Sequence, residues 1–425
     1  MRFNSTLLFS IGLFATCWGE PIELWISSQA DVNYYEKMAK MYREKVDKTF
    51  EANVHAYGFT EMPDKLAIAI KTGINPPDIV QLDEIFFSIY LRGIVPFVDL
   101  TSRIAAAKLE EVILPQRMGL YTWKGKTYGV PQSVSGIVLY YREDLFKAAG
   151  ITPKSIDTWP KFETVAEKLK SGSQTLLALD WSYFEILLRQ RGYELFDSTG
   201  KPFPDSAIEV ETLQKLVDWN KRGIGLVGDR GSVFEPDFFN SYVADNGVLA
   251  ILGAEWYGLD MIQNLDPKHS GKWRAMAMPV WTDAKSKGQN PTSSFSGQGL
   301  QIFKNSKQVD KSWNFIKWVM TDVDANVDRY VDGNSLSANK TTWGDLRMNK
   351  PEPYFGNQIL SDLLIQLAPR VPYVIQSPYR AQFVQLFREK YWNAIMRRQM
   401  TPEQALQEIK AGMMEGQKKP EMGPK

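Results

Sequence analysis

The sequence predicts an α/β protein of two domains, each built on a mostly parallel sheet flanked by helices. Three observations carry that prediction. The chain has 425 residues with 44% hydrophobic and 23% charged content, an ordinary globular balance too long for one typical core. From Ile22 onward, short apolar segments alternate with amphipathic ones, the pattern of strands separated by helices. That alternation is interrupted near Pro131, near residue 293 and within Asp332–Ala338, where the chain is expected to cross between domains. Fifty basic residues against forty-nine acidic ones leave a formal charge of +1, with neither sign gathered into a block, which argues against a nucleic-acid partner.

The first nineteen residues read as an export signal. Arg2 supplies the positive start, and Leu7 to Ala15 is an apolar run of nine, too short to span a bilayer as a helix. Two processing routes stay open. Cleavage after Gly19 leaves Glu20-Pro21 as the mature start, whereas Leu13-Phe-Ala-Thr-Cys17 has the outline of a degraded lipobox that would make Cys17 a lipidated N-terminus. Cys17 is the only cysteine, so neither disulfides nor cysteine metal sites are expected in the folded part.

Ile22–Ile26 is the first expected strand, followed by a helical face at Tyr35, Met38, Met41 and Tyr42, a second strand at Ala52–Tyr57, and a helix at Lys65–Lys71 stopped by Gly73 and Pro76-Pro77. Asp78–Leu82 is the third strand. After Tyr128–Gly136 the chain gives a strand at Ile137–Tyr141 and a helix at Arg142–Gly150, with glycine as its stop. Thr158, Pro160 and Glu163 mark the start of another helix. Gly247–Gly253 is a buried strand, and Ser294–Phe303 is a Gly/Ser/Gln turn entering a strand before a helix at Lys307–Met320, with Val309, Trp313, Ile316 and Met320 on one face. Helices at Phe383–Arg397 and Thr401–Lys410 close the fold, and a polar tail begins at Gly416. These boundaries give a signal peptide at 1–19, an N-terminal lobe from 20–131 with 297–338, and a C-terminal lobe from 132–296 with 339–425.

Sheets of this kind bind ligands beyond the carboxyl ends of their strands. Trp25–Gln29 and Gln81–Glu84 occupy such ends, and Glu255-Trp256 follow Gly253 at another. Thirteen tryptophans are present, most of them for packing; Trp313 and Trp318 read as helix packing, and Lys65, Lys71, Lys304 and Lys307 as solvated faces. An indole beside carboxylates and amides suits a pyranose, whose apolar C–H face packs on a ring while its rim of hydroxyls pairs with polar groups. Tyr140-Tyr141 could be read as an iron-binding pair, but strand alternation puts the two rings on opposite faces. His55 and His269 are the only histidines and lie far apart, a poor basis for a zinc site.

Tyr128-Gly-Val-Pro-Gln132 with Leu139-Tyr-Tyr-Arg-Glu-Asp-Leu145, Gly247 to Trp256, Ser296 to Lys304 with Trp313 to Met320, and Thr401-Pro-Glu-Gln-Ala-Leu406 together resemble the carbohydrate-binding solute receptors of ABC importers, the maltodextrin-binding-like solute-binding family 1. The resemblance implies the periplasmic-binding-protein fold, two hinge-linked lobes that trap a sugar on closing, and a non-enzymatic role without cofactor. It implies ligand-lining positions at Ser27, Ser28, Gln29, Gln81, Asp83, Glu84, Gln132, Trp181, Tyr183, Trp256, Gln298 and Tyr379. Trp256 and Trp181 would be stacking platforms, and Asp83, Glu84, Gln29, Gln132 and Gln298 would read hydroxyl stereochemistry. For Asp83, capping of the next helix is the bland alternative. Gln81-Leu82 and Gln298 stand where maltodextrin-type members carry aromatics, which points to a mono- to trisaccharide or related glycoside. The implied setting is periplasmic, with the importer's membrane permease as partner and the protein a monomer. A receptor of the same fold for a polyamine, phosphorylated compound or iron, or a secreted glycoside-acting enzyme, are the competing functions.

Overall fold

The computed structural model describes residues 20–169, 174–229 and 232–415. The export-signal residues and the polar tail fall outside them. Among the described residues are two five-stranded sheets and a short two-stranded hairpin. The first sheet runs in the order Ala52–Ala56, Ile22–Ile26, Ile79–Asp83, Gln298–Ile302, Val130–Pro131. The second runs Trp273–Met276, Val138–Arg142, Val248–Gly253, Thr175–Leu179, Gly225–Val227.

In each sheet four strands share one direction and a single strand is reversed. Gln298–Ile302 is antiparallel to both its neighbours, and so is Val138–Arg142. Each reversed strand follows a passage from the other sheet, so it enters from the opposite end; the remaining strands arrive through helical crossovers and run parallel. The expectation of mostly parallel sheets therefore holds, with the exceptions placed at the crossings.

Three crossing segments lie side by side. Val134 N donates to Leu336 O at 2.9 Å, Ile137 N to Ser293 O at 3.0 Å, and Ala338 N to Gln132 O at 3.2 Å. Arg117 staples two of them, with Nε on Ser133 O at 3.1 Å and a terminal nitrogen on Ser296 O at 2.9 Å. Gly297 makes room for that staple: its φ is +147°, and a Cβ there would lie 2.0 Å from the guanidinium.

The first sheet packs on a core of Tyr35, Met38, Phe50, Trp313, Phe315 and Ile316, so Trp313 is buried as expected. The second is sandwiched: Tyr141 packs in one core with Trp159 and Trp219, and Tyr140 in another with Tyr257 and Phe355. The two tyrosines thus point to opposite faces. The C-terminal helix expected from Phe383 is present as a continuous run, Arg380–Leu386 and Trp392–Met396 joined by a wider π-helical turn at Phe387–Tyr391. No described helix is long and apolar enough to cross a membrane.

Candidate functional site

The start of Gln298–Ile302 meets the carboxyl end of Ile79–Asp83, with Gln298 paired opposite Asp83. On the N-terminal side the chain builds a closed ring of hydrogen bonds. Ser27 Oγ donates to Gln81 Oε1 at 3.4 Å, Gln81 Nε2 to Gln132 Oε1 at 3.3 Å, Gln132 Nε2 to Gln298 Oε1 at 3.3 Å, and Gln298 Nε2 back to Ser27 Oγ at 3.2 Å. Ser27 N and the Tyr35 hydroxyl also donate into the ring, to Gln81 and Gln132. Gln81 Nε2 donates further to Asp31 at 2.6 Å, and Asp31 is held by Arg329 at 2.6 Å. Gln81, Gln132 and Ser27 are buried, whereas Gln298 and Ser28 are half-buried and Gln29 is exposed. The ring is a fixed base with a polar rim, and the four residues that close it all come from the sequence-predicted set.

The C-terminal side is aromatic. Trp256, half-buried just beyond the strand end at Gly253, stacks on Phe234 with ring centres 6.2 Å apart and an interplanar angle of 21°. Phe234 stacks on Phe295 at 6.4 Å, and Phe295 meets Trp181 edge-on at 5.6 Å. The rings form a continuous wall, with Phe295 contributed by the same turn that supplies Gln298. At the Trp181 end lies a cavity of about 330 Å³ lined by Asp180, Trp181, Ser232, Glu235, Arg388 and Trp392. The Arg388 guanidinium sits 5.9 Å from the Trp181 ring centre and 3.5 Å from Glu235. Asp180 accepts from both the Ser182 and Ser232 hydroxyls at 2.7 Å.

Three predicted residues have a different task. Asp83 is fully buried, caps the following turn by accepting from Ile85 N at 2.9 Å, and accepts from the Ser296 hydroxyl and from Gly297 N. It fastens the strand end to a crossing, and burial, reinforced by the neighbouring Glu84 charge, pushes its carboxyl up to about 6. Glu84, also fully buried, forms an ion pair with Arg380. Tyr183 lies in the core, its hydroxyl donating to Leu252 O at 3.2 Å and accepting from Leu252 N at 2.8 Å, which ties its helix to the adjacent strand. A residue directly after a strand is as readily a cap or tie as a ligand contact, and these three turn inward. Tyr379 is buried with the Arg92 guanidinium 5.2 Å from its ring centre. Glu255 is buried as well, accepting from Ser135 N at 2.9 Å, and burial pushes it up to about 7.

Sequence reasoning missed Phe234, Phe295 and Arg388. Phe295 lies inside the Gly/Ser/Gln turn, and nothing but its place between two serines marks it. Phe234 and Arg388 reach the site from distant segments and carried no local signal. Among the described residues, no group of three or more His, Cys, Asp or Glu side chains is arranged to hold a metal ion.

Comparison with known proteins is consistent with this geometry. The chain is 24% identical over 396 residues to the arabinooligosaccharide-binding protein of Bacillus subtilis (strain 168), covering 91% of this chain and 90% of that one. It is 23% identical over 399 residues to the lactose-binding protein of Rhizobium radiobacter, covering 87% of this chain and 86% of the relative. Among solved structures, the Bifidobacterium longum galacto-N-biose-/lacto-N-biose I-binding protein superposes with a TM-score of 0.74 at 15% identity, over 95% of this chain and 98% of that one. A Thermotoga lettingae ABC-transporter solute-binding protein bound with α-D-tagatose gives 0.72 at 19% identity, over 93% and 99%. These likenesses establish the two-lobed fold. The model of the bacterial extracellular solute-binding protein family matches residues 37–342, most of the chain, and the protein belongs to that family.

Proposed function

We propose that this protein is the exported substrate-binding component of an ABC importer, and that it captures a mono- or oligosaccharide between its lobes and hands it to the membrane permease. What supports this reading is an amide ring beyond the strand ends of one sheet and an aromatic wall beyond those of the other, with Gln298 and Phe295 supplied by one segment. A sugar offers an apolar face and a hydroxyl rim, and each finds its complement here. Trp256, Ser28, Gln29 and Gln298 are the partly exposed groups that meet the ligand first, and Trp181 lines the adjoining cavity. Asp83, Glu84 and Tyr183 act behind the surface by fixing strand ends.

Gln81 and Gln298 close the ring where maltodextrin-type receptors carry aromatics, which favours a short ligand over a long maltodextrin. The moving units in this reading are residues 20–131 with 297–338 and residues 132–296 with 339–425, closing as binding and hinge rotation become one equilibrium. The protein acts as a periplasmic monomer without catalysis, freed after Gly19 or anchored through Cys17.

A thermal-shift screen of the mature protein tests the reading, with arabino-oligosaccharides, lactose and maltodextrins set against spermidine, sn-glycerol-3-phosphate and ferric ion. A ligand at about a hundred times its Kd adds roughly 2.7 kcal/mol to native stability. Stabilisation by one or more sugars supports the proposal. Silence from every sugar with a response to the amine, phosphate ester or iron keeps the fold and overturns the ligand class.

A further inference from the structure

The segment 371–382 lies between the lobes and is clasped by both. On one side Val374 is buried in a core with Trp25, Leu82, Phe87 and Tyr121 of the first lobe. Gln376 Nε2 donates to Glu84 O at 3.0 Å and to Leu120 O at 2.8 Å, Ala381 N donates to Ser88 Oγ at 3.0 Å, and Arg92 donates to Gln382 Oε1 at 2.8 Å. On the other side Ser377 Oγ donates to Gly200 O at 2.7 Å, and Phe383 packs among Phe184, Phe196 and Phe203. The chain therefore touches the first lobe a fourth time, after the three crossings.

At the centre of this strut is a buried chain of alternating charges. Arg380 forms ion pairs with Glu84 of the first lobe and with Glu185 of the second; Glu185 also pairs with Arg189, and Arg189 Nε lies 2.7 Å from Glu194. Arg189 adds a hydrogen bond to Ser294 O, on a crossing, at 3.2 Å. Glu84, Arg380 and Arg189 have no exposed side-chain surface, and Glu185 has 3%. A buried charge stripped of its partner is strongly unfavourable, so the chain is stable only while both lobes supply their carboxylates. Arg is suited to the central place because its planar fork can serve two carboxylates at once.

We propose that Arg380 is a positioning residue that sets the spacing of the two lobes, and that segment 371–382 is a fourth connection about which they move. Opening of the crevice then pivots on the strut, because separation there would break the Glu84–Arg380 contact. The inference concerns the protein before it binds anything and requires no ligand assignment.

The test uses the mature protein with Lys71→Cys and Lys221→Cys, exposed helix positions one on each lobe, spin-labelled for inter-lobe distance measurement. Glu84→Gln removes only the inter-lobe arm of the charge chain, whereas Glu194→Gln alters its far end inside the second lobe. We expect Glu84→Gln to lengthen or broaden the inter-lobe distance by more than about 2 Å, the scale of a true rearrangement, while Glu194→Gln leaves it at the parent value. Ser88→Ala, which removes the acceptor of Ala381 N, should move it in the same sense and by less. Circular dichroism confirms that each variant is folded. If Glu84→Gln and Ser88→Ala both keep the parent distribution, or if Glu194→Gln shifts it as far as Glu84→Gln, the strut does not set the spacing and the proposal fails.

Discussion

The strand ends of the two sheets carry opposite materials. The N-terminal face is a ring of neutral amides and a hydroxyl, each group held by its neighbour, and the C-terminal face is a row of stacked rings around Trp256. The first is rigid because every member is satisfied: a hydrogen-bonded network with no unpaired partner fixes its own geometry. The second is adaptable, since ring faces impose contact but little direction. Direction on one side and area on the other lets a receptor read stereochemistry while tolerating different lengths of sugar.

The largest effect should come from breaking the ring at its most buried member. Gln81→Leu leaves Ser27 N without an acceptor and takes one donor each from Asp31, still held by Arg329, and Gln132, still held by Tyr35 and Gln298, and should lower stability by about 3 kcal/mol in urea unfolding. A loss below about 1 kcal/mol would mean that the ring is not a rigid base. Next is the opposite face: Trp256→Ala should weaken sugar binding by about 2 kcal/mol, roughly thirtyfold in calorimetric Kd, and also lower the melting temperature, because the indole packs on Phe234 and Tyr257.

The third prediction separates the amides, which do not titrate, from the carboxylates that tie each face to the crossings. The native Glu255 carboxyl is pushed up to about 7 by burial, whereas the unfolded chain releases that proton near 4.3. The native state therefore holds a proton the unfolded chain has lost, so this group's stabilisation is complete below about pH 4.3 and disappears as pH rises through about 7. Asp83, up at about 6, and Glu194, up at about 7, act in the same direction. Glu255→Gln should reduce the stability difference between about pH 5.5 and about pH 7 by about 1.5 kcal/mol, measured by urea unfolding at each pH. The smallest effect should be that of Gln298→Leu at the half-buried rim, about 1 kcal/mol or fivefold in sugar affinity. An equal loss for every epimer tested would show that this amide does not read stereochemistry.

Much of this architecture was legible in the sequence, and the parts that were not share a cause. The strands at Ile22–Ile26 and Gln298–Ile302 appear where periodicity and turn residues put them, and Ser27, Gln81, Gln132 and Gln298 come together because strand ends converge by topology. Trp256 was visible from the glycine that ends its strand. Side-chain direction was not visible: Asp83 and Glu84 sit at the expected strand end, yet one caps and the other pairs with Arg380, an alternative that local sequence cannot decide. Nor could spacing foretell that the segment near Val374 would return to the first lobe, since its partners lie some 250 residues or more away. The π-helical turn at Phe387–Tyr391 likewise has no proline or glycine to announce it, and its Phe387 and Tyr391 lie in the same core as Trp392.

The most direct measurement is a calorimetric titration, at several temperatures, of the mature protein and of Trp256→Ala with arabino-oligosaccharides of increasing length and with sn-glycerol-3-phosphate. Saturable binding of a short oligosaccharide to the parent, with a negative heat-capacity change from burial of the sugar face and marked weakening in the variant, is the predicted result. Binding of the phosphate ester alone, or sugar binding undiminished by loss of Trp256, would contradict capture between the amide ring and the aromatic wall.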